Sequence, residues 1–318
     1  MRGLSGLPLT QLSAAMSKVA WGRQAVVERV LVVLLAEGHL LIDDVPGVGK
    51  TTLVRGLAQS LDLTHRRLQF TPDLLPSDVT GFTYYDAKTQ SFLFRPGPVF
   101  CNLLLADEIN RTSPKTQSSL LEAMEEHQVT VDGQVYPLAR PFMVVATQNP
   151  IEYEGTFALP EAQLDRFLLR IRVGYPDGAD ERQAMQAEGD RQHPPRLEAV
   201  MSAAELAAAA EESSQLPVAD QVVDYAQAVV EATRQHPALR LGVSPRGAIA
   251  WIRASRSLAY LRQARFVTPD HLRDLAAEVL AHRLLLRPEP IAQGLTAADV
   301  VAQVVNAVPL PGAARRLG

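Results

Sequence analysis

Apolar residues in the first half of the chain fall into short, nearly continuous runs at 39–43, 103–107, 142–147 and 167–173, with a further strand candidate at 63–70. Runs of this length, rich in Leu, Ile and Val, read as strands buried on both faces, which is the habit of a parallel sheet. Helical segments separate them. Residues 24–36 form a helix that stops at Glu37-Gly38, a second helix spans about 50–61, and Pro114 opens a third that reaches about His127. Strands alternating with helices predict an α/β domain built on a mostly parallel sheet. Gly174-Tyr175-Pro176-Asp177-Gly178 reads as a linker. Everything after it reads helical, and the alanine-rich stretch 203–212 merely favours helix. The expected organisation is an α/β domain over 1–174 followed by an all-α domain over 175–318.

Two segments break the alternation. Residues 81–85 and 91–94 flank a polar turn and predict a hairpin within 81–100. Six of the chain's sixteen Phe and Tyr residues lie between Phe82 and Phe100. Such density marks either a contact surface or aromatic side chains stapling a small hairpin. Residues 128–136 alternate around Asp132-Gly133, a strong two-residue hairpin signal.

With 318 residues, the chain is long enough for about two domains and a large core. The net charge is -4, so a dedicated nucleic-acid binder is not expected, although a local basic loop stays open. The single cysteine, Cys101, excludes an internal disulfide and reads as a buried core thiol. The seven histidines lie apart, without metal-ligand spacing, and read as structural or surface residues. No apolar run approaches the ~20 residues of a membrane span; the longest, 30–36, fits a buried helix. The N-terminus has no continuous apolar stretch of signal-peptide length. A soluble cytoplasmic protein with no membrane span is expected.

The strongest chemical signal is Val45-Pro46-Gly47-Val48-Gly49-Lys50-Thr51, with Thr52 next, between a predicted strand and a predicted helix. That is the context a phosphate loop requires. Glycines let backbone N–H groups approach phosphate oxygens, and the helix N-terminus favours their charge. Lys50 reaches the β and γ phosphates of ATP, and the Thr51 hydroxyl ligates Mg²⁺. The usual pattern begins with Gly, and Asp44 stands there instead. Asp107 ends its strand at the sheet edge where ligands of such sheets collect, and is expected to hold Mg²⁺ through water. Glu108 follows it, placed to orient or deprotonate the attacking water.

On these residues the chain resembles the MoxR family of AAA+ ATPases. The resemblance covers about 19–286 and rests on the phosphate loop 44–51 and on Leu105-Ala106-Asp107-Glu108-Ile109-Asn110-Arg111. It rests also on Ala146-Thr147-Gln148-Asn149-Pro150, on 159–167 (Leu-Pro-Glu-Ala-Gln-Leu-Asp-Arg-Phe) and on Ser244-Pro245-Arg246. It implies a catalytic role for Asn149 as sensor 1; read from the residues alone, Asn149 ends an apolar strand, and Asn-Pro is also a turn former. It implies that Arg166 is an arginine finger acting across a subunit interface; a salt bridge to Asp165 or Glu161 is the plainer alternative. It makes Arg246 sensor 2. Ser244 suits an N-cap and Pro245 a first helical position, so a cation at 246 opposes the helix dipole and a phosphate would offset it. Residues 81–100 then match the helix-2 insert and 128–139 the hairpin before sensor 1. Val19 to Gly22 matches the adenine-side segment, with Trp21 in place of an aliphatic residue.

The resemblance further implies a ring, expected to be a hexamer, in which ATP hydrolysis remodels a client protein. It also implies partners with von Willebrand factor A domains and a role in maturing or inserting metal cofactors. No residue names the client. One rival is the ATPase subunit of a metal chelatase, which shares these inserts; another is a DNA-acting ring motor, disfavoured by the acidic balance. A GTP switch lacks its guanine reader, since 147–150 is Thr-Gln-Asn-Pro. A non-catalytic scaffold is disfavoured by the presence of both Glu108 and Arg166.

Overall fold

The computed structural model describes residues 6–20, 23–43, 49–149, 157–174, 178, 182 and 197–311. The expected boundary at 174/175 falls beside residues 175–177, which lie outside that set.

Five parallel strands form the central sheet: β1 (Leu40–Asp43), β2 (His65–Gln69), β5 (Leu103–Asp107), β8 (Met143–Gln148) and β9 (Leu169–Ile171), in the order β2-β5-β8-β1-β9. Alternate side chains of each inner strand serve opposite cores. Leu40, Ile42, Leu103, Leu105, Met143 and Val145 face α1 (Gly6–Val19), α2 (Gln24–Leu35) and α3 (Lys50–Ser60). Leu41, Leu104, Ala106, Val144 and Ala146 face the layer containing α5 (Pro114–Glu126). This two-sided burial explains the continuous apolar runs. The edge strand β2 is mostly exposed, which is why 63–70 lacked such a run.

The two inserts are hairpins. β3 (Gly81–Asp86) pairs with β4 (Ser91–Pro96), and β6 (Gln128–Val131) with β7 (Gln134–Pro137). A short α4 (Pro76–Thr80) leads into the first and packs on α5. Gly81 has φ 95° and a Cβ there would stand 2.3 Å from the Arg95 carbonyl oxygen, so the hairpin base closes only on glycine. The stapling reading holds for Phe94 and its neighbours. Phe94 packs edge-on against Phe100 and stacks on Tyr136 of the second hairpin, centroids 3.9 Å apart, which ties the two hairpins together. Phe82, Tyr84, Tyr85 and Phe92 are exposed, Phe92 to 75%.

The second half is built from α7 (Ala203–Ser214), α8 (Asp220–Gln235), α9 (Pro245–Leu261), α10 (Pro269–Leu280), α11 (Pro288–Ala292) and α12 (Ala297–Ala307), with α6 (Glu161–Leu164) preceding β9. It is not wholly helical: β10 (Leu239–Leu241) and β11 (Leu285–Leu286) form a small antiparallel ribbon. Strands of three and two residues are too short to show a period of two. Apart from the short α6 and α11, these helices bury their apolar faces in the same core as α2 and α3, where Trp251 donates its indole N–H to the Leu272 carbonyl at 2.8 Å. Helix α2 lies between sheet and lid, which accounts for its buried run Val30–Ala36. Cys101 is buried, and burial pushes its thiol up to about 12, as expected of a core cysteine. Among the described residues, no helix is long and apolar enough to cross a membrane.

His39 fastens α5 to the sheet. Its Nδ1 accepts from the Val144 N–H and its Nε2 lies 3.0 Å from the Met124 carbonyl oxygen, and the first of these bonds needs a neutral ring. Burial lowers its pKa to about 4, and His282 is pushed down for the same reason. Between pH 4 and 6.5 the unfolded chain therefore binds the proton that the folded chain refuses. Stability from His39 is complete above pH 6.5 and drains away as pH falls toward 4. Urea unfolding at pH 7.5 and pH 5 should differ by about 2 kcal/mol from this residue alone. Equal stabilities at the two pH values would mean that His39 charges freely in the fold.

Candidate functional site

Parallel strands bring all their C-terminal ends to one edge, and β1, which precedes the predicted phosphate loop in sequence, ends there. Val45, Pro46, Gly47 and Val48, with Asp44, lie outside the described residues. Gly49 has φ +85° and caps α3, a left-handed conformation that a side chain would strain. Lys50, Thr51 and Thr52 form the first turn of α3. A small pocket lies between Lys50, Leu53, Ala20, Arg23 and Val173, so the segment matched to the adenine side does approach the loop. Trp21 and Gly22 are outside the described residues.

Asp107 ends β5, with β8 between it and β1, and is only 7% exposed. Its Oδ2 accepts from Arg67 Nε at 2.6 Å and its Oδ1 from the Thr147 hydroxyl at 3.2 Å. The Thr147 oxygen in turn accepts the Glu108 backbone N–H at 2.9 Å. Glu108 sits at φ 55°, ψ 49°, an uncommon left-handed conformation for glutamate. Its carboxylate pairs with Arg111 at 2.9 Å. Asn149 follows the end of β8, half-buried, and β8 pairs with β5. The donor set suits a triphosphate with a hard, oxygen-seeking cation: a helix N-terminus opened by a left-handed glycine, a lysine, a hydroxyl and a buried carboxylate. Thr147 was missed by sequence reasoning. A threonine inside an apolar strand reads as β-branched filler, and only its buried hydroxyl betrays it.

Arg166 and Arg246 occupy the opposite edge. Arg166 precedes β9, and its guanidinium meets Glu125 at 2.9 Å, with a further bond to the Ala162 carbonyl. The local pairing to Asp165 or Glu161 is therefore replaced by a partner from the end of α5. Arg246 meets the other oxygen of Glu125 at 2.8 Å and lies 3.9 Å from Asp165. Ser244 caps α9 through the Gly247 N–H, with Pro245 at its first position, as the sequence suggested. The charge that offsets Arg246 at this helix start is Glu125. Burial raises the Glu125 pKa, but the two arginines outweigh it and hold the carboxyl below its ordinary value. The two edges are separated by strands of three to six residues, up to ~20 Å at ~3.3 Å per residue.

Fold and site define an AAA+ ATPase. The family described as ATPase family associated with various cellular activities (AAA) matches residues 39–169, and the AAA lid domain matches 231–304. An uncharacterized Bacillus subtilis protein, YeaC, is 49% identical over 93% of this chain and 92% of its own. The Mycobacterium tuberculosis protein named Chaperone MoxR1 is 41% identical over 92% of this chain and 80% of its own, and the Paracoccus denitrificans Protein MoxR 32% over 94% and 95%. The chain belongs to the MoxR family of AAA+ ATPases, and ATP hydrolysis is its reaction. The crystal structure of a candidate ATPase from Cytophaga hutchinsonii superimposes with a TM-score of 0.90 at 34% identity, covering 96% of this chain and 95% of that one. A full-length MCM homolog from Methanopyrus kandleri, at TM-score 0.57 and 18% identity, covering 95% of this chain and 59% of that one, shares the fold alone.

Thr147 joins the two acids, so its removal should be felt by both. Thr147→Val keeps the shape but leaves the half-buried Glu108 N–H and a buried Asp107 oxygen without this partner, a loss of ~1–3 kcal/mol in stability. Turnover should fall while ATP affinity is kept, and Thr147→Ser should restore most of both. Urea melts, calorimetric ATP titration and steady-state turnover on the pair check this. Normal turnover in Thr147→Val would mean that the acids hold their places without it.

Proposed function

We propose that this chain binds ATP with Mg²⁺ at 45–52 and Asp107, hydrolyses it with Glu108 as general base, and works as a hexameric ring that remodels a client protein. The observation that carries the hydrolytic reading is the Asp107–Thr147–Glu108 hydrogen-bond network on β5 and β8, beside the strand that leads into Lys50. Bound Mg²⁺ would lend charge to the transferred phosphate's oxygens. Thr51 and Asp107 would hold it, Lys50 would bind the phosphates, Asn149 would orient the water, and Glu108 would accept the water's proton. The arginine reading rests on separation: Arg166 and Arg246 converge at the edge away from Lys50, which suits action on a neighbouring subunit's nucleotide.

The name Chaperone MoxR1 borne by a relative supports remodelling, and the exposed side chains of Phe82, Tyr84, Tyr85 and Phe92 supply a surface for client contact. A von Willebrand factor A domain partner, a role in cofactor or metal insertion, a cytoplasmic site of action and a domain boundary near 174/175 complete the proposal. The chelatase and DNA-motor readings are kept as rivals; DNA-stimulated hydrolysis would favour the second.

Glu108→Gln keeps size and hydrogen-bonding reach but cannot take the proton at neutral pH. Single-turnover hydrolysis should slow by about 10²–10⁴, with ATP affinity intact and the variant collecting in an ATP-bound assembly. A wild-type rate would remove Glu108 from the role of base.

Arg166→Ala should lose hydrolysis by about 10³–10⁵ while still binding ATP. Lys50→Ala should lose tight binding. Each lacks what the other supplies, so mixing the two, once subunit exchange is established, should regain activity. No recovery in freely exchanging mixtures would place Arg166 outside the neighbour's site.

A further inference from the structure

The segment that carries Arg166 is held in place by one buried side chain from the far end of the chain. Arg283 lies in a 3₁₀ turn, Ala281–Arg283, after α10, and its side chain is 3% exposed. Its Nε donates to Asp165 Oδ1 at 2.7 Å. Its Nη2 donates to the Phe167 carbonyl at 2.7 Å and the Asp165 carbonyl at 3.3 Å, and its Nη1 to the Leu168 carbonyl at 3.3 Å and to the Val279 carbonyl. The neighbouring His282 brings Nε2 within 3.1 Å of the same Phe167 oxygen. One guanidinium thus gathers the carbonyls on both sides of Arg166, a use of the planar fork that a lysine could not reproduce.

The same side chain also touches the helix that carries the second arginine. A Cβ on Gly247 would stand 2.8 Å from Arg283 Cδ, so α9 passes this close only because glycine follows Arg246. Asp165, the acid that pairs with Arg283, lies 3.9 Å from Arg246. The Arg166 loop and the Arg246 helix therefore share one buried reference point.

We propose that Arg283 is a positioning residue for hydrolysis in the neighbouring subunit: it locks segment 165–168 to the lid so that Arg166 and Arg246 are presented as one unit. This rests on the reading that Arg166 acts in trans. A shift in the lid would carry both arginines with it, which links the state of one site to the competence of the next.

The test uses the full chain as assembled. Arg283→Lys keeps the charge and removes the fork; Asp165→Asn keeps the shape and removes the ion pair. Lys50, Thr51 and Asp107 are untouched, so calorimetric ATP affinity should stay within about twofold, while steady-state hydrolysis falls at least tenfold. Mixing either variant with Lys50→Ala should restore activity, because the Lys50→Ala subunit brings an intact finger to the variant's loaded site. A merely structural role would not give that recovery. If Arg166→Ala is inactive while both variants, folded and assembled, hydrolyse normally, the proposal is overturned. Loss of ATP binding in assembled Asp165→Asn also overturns it, leaving Arg283 a plain lid clasp. If Arg283→Lys does not fold, Asp165→Asn carries the same expectation and the same refutation. Wild-type hydrolysis by Arg166→Ala is a different failure, that of the trans reading itself.

Discussion

The inner strands of the sheet are buried on both faces, so chemistry has no place on the sheet except at its two edges. Burying a charge in either apolar layer would cost far more than one strand's packing returns. At the C-terminal edge stand Lys50, Thr51, Asp107, Glu108 and Asn149; at the N-terminal edge stand Glu125, Arg166 and Arg246. Helix α5 joins them, starting at Pro114, past the left-handed Glu108 and the 3₁₀ turn Ile109–Arg111, and ending at Glu126. A single chain thus holds the phosphate-loop residues at one edge and the arginines at the other. On the proposed reading, each would be completed by the opposite edge of another copy.

The lid does not hang from the sheet by a linker alone. Trp251, Leu258 and Leu272 share a core with α2 and with β1, so lid and sheet are packed through one helix. At its rim Arg29 on α2 meets Asp274 and Glu278 on α10, and Arg262 meets Glu28 and Asp274. Arg29 is largely buried, and burial raises the Glu278 pKa against the pull of Arg29. Such half-buried networks add little net stability but penalise any other docking angle, since a slipped lid would strand a charge. The apolar core supplies the attraction and the charges select the orientation.

What was legible in the sequence was local. The loop ending in Gly49-Lys50-Thr51, the acids after β5 and the Asp-Gly turn each depend on neighbours a few residues away, and short-range chemistry leaves short-range signals. The partners that fix the site are not local. Glu125 lies 41 residues before Arg166, and Asp165 lies 118 residues before Arg283. The sequence alone offers no reason to choose Glu125 over Asp165 or Glu161 as the partner of Arg166. Thr147 failed for another reason: threonine suits a strand on propensity alone, so its hydrogen bonds are invisible until β5 and β8 are placed side by side. The ribbon β10–β11 escaped because its strands are shorter than one readable period.

The arginines at the N-terminal edge differ in how firmly they are held, and that difference suits the roles proposed for them. Arg246 is 52% exposed and Arg166 26%, and both lean on the one carboxylate of Glu125. Ion pairs this open are worth about 0–1 kcal/mol, and sharing one acid weakens each further. Their tips can leave Glu125 for a phosphate at little cost. Arg283 faces the reverse situation: buried, with its fork spent on carbonyls and an acid, it would leave several unpaired polar groups behind if it moved. A fixed base under movable tips is what delivery of charge across an interface demands. The backbone that sets direction must not yield, while the guanidinium that makes contact must exchange partners readily.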